Sequence, residues 1–465
     1  MSAEPLCGTA PSQHKLPDGW REVPLASIAE VRFSGVNKLS LPSEEPVRLC
    51  NYTDVYNNDY ITGDLEFMRA TATQPEINRF GLQLGDVIIT KDSETPDDIG
   101  IAAVVDYTAP DLLCGYHLAL IHPRTEEVDP TFLAKQLRHD RLARYFGQQA
   151  NGLTRYGLPT AVVANAPLWL PEPVKQRAIG ALLRLVDEAI ARTEAVIAKL
   201  KQVRAGLLHD LLTRGLDEHG QLRDPIAHPE QFQDSPLGHT PRNWEVKPCQ
   251  GLCREIVVGI VVKPAQYYVE EGIPVLRSAN VRENGISLTD LVFVSPESNA
   301  LLSKSVLRTG DVVTVRTGYP GTSCVVPPHL DGANCVDLII SRPSGEIVHE
   351  FLALWINSPF GRDQVLRVHG GLAQQHFNVG ELKALLVAKP ERDEQREMVR
   401  RVGVIDSQAR IETDLCAKLQ LLKSGLMADL LTGRVRVPED FAVRRHDAAL
   451  PESGDTSPYS KGVAT

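Results

Sequence analysis

The side chains best placed to do chemistry in this chain are donors and aromatics set in loops. Arg155 and Tyr156 lie in the stretch NGLTRYGLP (151–159), and Gln374, Gln375 and His376 in HGGLAQQHFN (369–378). Arg48 and Tyr52 close an apolar run, as Arg277 and Asn280 do farther on. Lys91 follows the run GDVIIT (85–90), and Arg316 and Tyr319 follow GDVVTV (310–315). Arg and Lys can reach phosphates or guanine edges, and Gln and Asn can pair with adenine edges. This is chemistry of recognition. The chain holds no G-x-x-x-x-G-K-[ST] phosphate loop, no H-E-x-x-H, no G-x-S-x-G and no Gly-rich strand-to-helix turn. Its only Pro-Pro pair, Pro327-Pro328, lacks the Asn/Asp before it and the aromatic after it that an amine methyltransferase loop requires. The histidines show no ligand spacing, and no metal is expected.

Each group of loop residues needs a scaffold, and the scaffold is written twice. Residues 171–215 read as one long helix, with Pro171 and Pro173 at its entrance and Gly215 at its exit. Leu182, Val186, Ala189, Val196, Leu200, Val203 and Leu207 recur at the spacing of a coiled-coil seam. A shift of 219 positions lays this segment on 390–434. Identities include Gln176/Gln395, Arg177/Arg396, Asp187/Asp406, Gly206/Gly425 and the run Asp-Leu-Leu-Thr at 210–213 and 429–432. The two helices are therefore expected to pack on each other, with no second copy of the chain needed. The repeated glycines suggest a close approach of backbones.

The rest of each copy agrees. Trp20 answers Trp244 as a packed anchor. The Gly-Asp runs feed buried strands, apolar strands follow at 118–121 and 338–340, and short helices fit 130–142 and 349–360. Gly152-Leu153 matches Gly371-Leu372, yet the polar residues beyond them differ. Common frames with different tips suit two readers of two different targets. The predicted organisation is a β-rich domain at 16–170, a long helix at 171–215, a polar connector at 216–240, a second β-rich domain at 241–389, a second helix at 390–434 and a largely disordered tail at 435–465. The fold class is α+β, built as an internal repeat.

Composition narrows the function. The net charge of −10 argues against indiscriminate coating of nucleic acid. Residues 173–215 nevertheless hold eight Lys and Arg against four Asp and Glu. Any DNA contact must use local basic surfaces or those of partner subunits. No signal peptide or membrane span is expected, and the scattered cysteines suit reduced thiols in a cytoplasm.

The chain resembles the specificity subunits of type I restriction-modification enzymes over residues 16–437. The resemblance rests on LLHDLLTRGLDEHGQLR (207–223), DSPLGHTPRNWEV (234–246), LLKSGLMADLLTGRVRVP (421–438) and the Gln-Arg pairs at 176–177 and 395–396. Lys175 departs from the family pattern, which often has Glu there, as at Glu394. The resemblance implies two target recognition domains that each read half of a bipartite, asymmetric double-stranded DNA site, with the two long helices packed antiparallel as a coiled-coil spacer that relates the domains by an internal pseudo-two-fold. It also implies two DNA methyltransferase (modification) subunits and added restriction subunits, in a system of phage defence. S-adenosylmethionine, ATP and magnesium would sit on those partners and none on this chain. The rival reading of the same residues is a helical scaffold that binds proteins without reading DNA.

Overall fold

The computed structural model describes residues 16–367 and 376–437. The chain packs into two units: residues up to Thr193 with those from Leu415 onward, and Glu194–Asp414. Two long helices, Pro173–Arg214 and Arg392–Leu430, each run through the boundary between units. The first unit holds the start of the first helix and the end of the second, and the second unit holds the converse halves, so the pair is antiparallel.

Each unit is built on the same sheet. In the first, Ala29–Phe33, Leu118–Pro123, Val87–Thr90 and Ala102–Val105 lie side by side in that order, all antiparallel, with Tyr60–Ile61 added in parallel at the edge. In the second, Cys253–Val258, Leu338–Pro343, Val312–Val315 and Ser323–Val325 repeat that order. Both faces are covered, which is why the central strands are apolar throughout. Val87 and Ile89 face one core and Ile88 the other, and Val312 and Val313 divide in the same way.

The repeated sequence signals have local physical causes. Gly85 and Gly310 stand at φ 84° and 87°, where an L side chain is disfavoured. The aspartate after each glycine closes the turn: Asp86 accepts from the Gln83 N–H at 2.8 Å and Asp311 from the Arg308 N–H at 2.9 Å. Gln176 and Gln395 are fully buried near the starts of the long helices. Gln176 donates to Pro171 O and Glu127 O and accepts from the Asp129 N–H. Gln395 donates to Pro390 O and Glu346 O and accepts from the Val348 N–H. Each glutamine thus pins a helix entrance to the turn after the sheet's second strand.

Ion pairs join the helix halves inside each unit, and the repeat relates them. Asp187 meets Lys423 at 2.7 Å in the first unit, and Asp406 meets Arg204 at 2.5 Å in the second. In the first unit this pair grows into a buried cluster. Lys135, 2% exposed, reaches Asp187 at 2.6 Å and Asp59 at 3.0 Å; the Tyr60 hydroxyl donates to Asp187 at 2.9 Å; Arg138 and Lys423 also meet Asp59. Burial pushes the Lys135 ammonium down to about 8, against the pull of Asp187. Burial alone would raise the Asp187 carboxyl, but Lys135 and Lys423 outweigh it and hold it below the ordinary carboxylate range.

Several expectations need correction. Val196 and Val203 are 44% and 45% exposed, although their spacing put them in the seam. Two helices cover only a narrow stripe of each other, and the buried stripe near the first helix's entrance runs through Ile179, Leu183 and Val186. Gly206 and Gly425 mark no close crossing, because a Cβ at either would meet nothing within 4 Å. Nothing in the structure explains them. Gly206→Ala and Gly425→Ala should each stabilise the chain by ~0.5–1 kcal/mol, read as a higher denaturation midpoint. Two consecutive helices, Pro130–Arg138 and Asp140–Gln149, stand where one was expected, and His349–Asn357 and Pro359–Arg367 repeat the pattern.

The segment between the first helix and the second domain is ordered. It carries a hairpin of Phe232–Ser235 with Gly238–Pro241. Glu394 accepts from the Leu216 N–H at 2.7 Å, from Arg223 at 2.8 Å and from the Trp244 indole at 3.2 Å. This node gathers a helix exit, the segment and the tryptophan anchor. Lys175 replaces it in the first unit, where the Trp20 indole N–H has no acceptor among the described residues. The expected disordered tail lies outside the described residues apart from its first few positions.

Candidate nucleic-acid interface

In the first unit the loop tips converge. Strands Asn151–Gly152 and Tyr156–Gly157 form a hairpin, and the second of them pairs with Asp92–Ser93. Gly152 makes the hairpin possible: its φ is 155°, and a Cβ there would strike Arg155 O. The tip between the strands holds Leu153, 95% exposed, with Thr154 and Arg155. Beside it the short helix Tyr52–Asn57 begins under a capping box from Asn51 and Asp54. Its Tyr52 and Tyr56 are four residues apart and stack at 5.4 Å between centroids, 18° from parallel. Tyr52, Tyr56, Asp92, Glu94, Asp98 and Arg155 line a cavity of about 490 Å³.

The structure thus brings Tyr52 and Arg155 together, with Tyr156 half-buried in the sheet beneath. Arg155 has no ion-pair partner among the described residues. Lys91 and Arg48 are placed differently. The Lys91 ammonium lies over the rings of Tyr116 and Phe33, at 4.8 and 5.5 Å. Arg48 makes a two-pronged pair with Asp111, at 2.8 and 2.7 Å. The aspartate holds this guanidinium above its ordinary value, so it stays charged.

In the second unit the equivalent loops also meet. Thr317 bridges His376 as Asp92 pairs with Gly157, and the imidazole Nδ1 lies 2.8 Å from Thr317 Oγ1. Arg316 lies beneath this contact with its side chain 13% exposed. It donates to Asp337 at 2.7 Å and to Phe377 O at 3.3 Å, and it meets the His376 ring. Tyr319 projects outward at 83% exposure. Asn280 is buried, and its amide is consumed: it accepts from the Arg277 N–H and donates to Ser287 O and Thr289 O. The Arg277 guanidinium donates to Asp290 O at 2.5 Å. Gln374 and Gln375 lie outside the described residues. Arg316→Ala should therefore cost ~1–3 kcal/mol of stability, seen as a lower melting temperature of the chain. A relaxed base preference at unchanged stability would show instead that Arg316 turns outward onto DNA.

Sequence reasoning did not find Tyr56, Asp98, Leu153 or a second cleft. The i,i+4 spacing of Tyr52 and Tyr56 was the available signal. The second cleft, about 560 Å³, is lined by Gln250, Arg254, Lys304 and Lys383 in the second unit. Its three cations have no ion-pair partner among the described residues. Among those residues, no group of three or more His, Cys, Asp or Glu is placed to hold a metal ion.

No family model matches the chain. It is similar to the putative type I restriction enzyme MjaX specificity subunit of Methanocaldococcus jannaschii, at 22% identity over 438 residues, covering 91% of this chain and 95% of that one. It is also similar to the EcoKI specificity subunit of Escherichia coli, at 21% identity over 445 residues and 91% of each chain. Its fold matches the crystal structure of a type I restriction-modification S subunit from M. genitalium with a TM-score of 0.57, across 90% of this chain and 97% of that chain, at 14% identity. Over nearly its full length, the chain is thus similar to the specificity subunits of type I restriction-modification enzymes and has the fold of such a subunit.

Proposed function

We propose that this chain recognises a bipartite, asymmetric double-stranded DNA sequence and directs modification and restriction subunits to it. One observation carries the reading: a single scaffold is built twice with different side chains at matching loop positions. Gly157 faces Asp92 where His376 faces Thr317, and the Tyr52–Tyr56 stack has no counterpart around Asn280. Two different half-sites read by one chain require that pattern. Among the side chains singled out, Tyr52, Arg155, Tyr319 and His376 are the better placed to reach bases, while Arg254, Lys304 and Lys383 suit phosphates.

The reading gives this chain recognition and leaves methyl transfer and cleavage, with S-adenosylmethionine, ATP and magnesium, to two modification subunits and the restriction subunits. Exposed apolar residues on the long helices, Val196, Val203, Val404 and Ile411, support partner subunits seated there. The rival scaffold reading shares that feature but leaves the differing loop tips without a purpose. Among the described residues no helix is long and apolar enough to cross a membrane, and a cytoplasmic place beside chromosomal DNA fits the proposal. Mapping methylated positions in host DNA with and without the gene tests it. Loss of one interrupted motif on deletion is expected, and an unchanged methylation map overturns the reading.

A further inference from the structure

The cavity beneath the first unit's loop tips has an unusual charge for a DNA-facing surface. Asp92, Glu94 and Asp98 line it against Arg155 and His117. His117 is engaged with Asp92, their nearest atoms 3.0 Å apart, so Asp92 is the carboxylate already answered. Glu94 is exposed and has no partner among the described residues. Asp98 lies near the Tyr56 hydroxyl, beside the Tyr52–Tyr56 stack. A phosphate brought here would meet two carboxylates at close range, and like charges repel. A base edge is different. The exocyclic amines of cytosine and adenine are the donors that duplex DNA shows in its major groove, and carboxylates accept from them.

We infer that this cavity selects an amine-bearing base, cytosine or adenine, at one position of the half-site read by the first unit, with Asp98 as the chief acceptor and Glu94 beside it. Arg155, at the hairpin tip on the cavity's edge, carries the opposite charge, suited to a neighbouring guanine or phosphate. The inference rests on the DNA-recognition reading above and adds the chemical identity of one recognised edge.

The test uses the full chain assembled with its modification subunits, and reads the methylated motif in the host genome. With Asp98→Asn, one position of one half-site should lose its preference for cytosine or adenine by roughly tenfold to a hundredfold, while the other half-site stays unchanged. The motif letter at that position in the unsubstituted chain decides between cytosine and adenine. An unaltered preference at every position overturns the inference. So does a uniform gain in binding across all duplexes, which would mean that Asp98 faces a phosphate. If Asp98→Asn abolishes both halves together, Glu94→Gln decides: exposed and unpartnered, it should weaken the same single position, and no weakening overturns the inference. An unsubstituted complex that gives no interrupted motif overturns the recognition reading itself, and this inference with it.

Discussion

Asp187→Ala should lower the stability of the chain by ~3–5 kcal/mol, whereas Asp406→Ala, the same residue in the second copy, should cost about 1 kcal/mol or less. The difference follows from burial. Asp187 is nearly enclosed and answers Lys135, Lys423 and the Tyr60 hydroxyl together. Without it, Lys135 keeps only Asp59, which must also serve Arg138 and Lys423. An ammonium 2% exposed with its principal counter-charge removed either stays charged at high cost or gives up its proton. Asp406 meets one partner, Arg204, and both side chains keep a quarter or more of their surface in water. For a unit of this size the first loss corresponds to a drop of roughly 6–20 °C in melting temperature. Equal losses for the two variants would show that the buried cluster does not hold the first unit together.

The pH dependence of that contrast has a definite sign. Asp187 has a folded pKa below its ordinary value of 3.8, so its contribution is full above 3.8 and fades as pH falls through the lower, folded value. The gap between the unsubstituted chain and Asp187→Ala should therefore close in strong acid. Lys135 acts with the same sign in a higher pH window. Its folded value of about 8 lies below the ordinary 10.5, so the unfolded chain binds more protons between those limits. Its contribution to stability rises with pH across that window.

The long helices were legible because their evidence is local and repeated. Helix entrances and exits lie within a few residues of the positions set by Pro173, Gly215 and the shared Asp-Leu-Leu-Thr run. The paired Gln176 and Gln395 were legible as a coincidence, but not as a cause. Their acceptors, Glu127 O and Glu346 O, lie nearly fifty residues away along the chain. The seam was only half legible. Periodicity marks which residues are apolar, but not how wide a stripe one partner helix covers, so Val196 and Val203 stand exposed. The glycines misled because an unfavourable residue invites a packing reason that the surrounding space does not supply. At the interface, residue type separated poorly from residue role. Arg316 and Arg155 have the same side chain, yet one is tied to Asp337 and Phe377 O while the other, at a hairpin tip, has no ion pair among the described residues. That distinction depends on strand pairing between distant segments, which no local pattern encodes.

The second large effect concerns the helices as a spacer. One heptad inserted in each long helix, after Thr193 and after Asp414 where both cross between units, should abolish methylation of the native site and create a new one. Seven residues lengthen a helix by ~10 Å at 1.5 Å per residue. The duplex advances about 34 Å in ten base pairs, so the gap between half-sites should widen by about three base pairs. Seven residues turn an ideal helix about 20° short of two full turns, so the side chains on either side of the insertion keep nearly the same faces. The half-site letters should be unchanged, because no loop tip is touched. Inserting the heptad in only one helix should destroy recognition, since the pairs Asp187–Lys423 and Asp406–Arg204 could no longer form together with both helix entrances pinned by Gln176 and Gln395. Methylome sequencing of hosts carrying each variant distinguishes these results. Altered half-site letters, or an unaltered gap, would show that the spacing is set elsewhere and that the helices serve only to seat partner subunits.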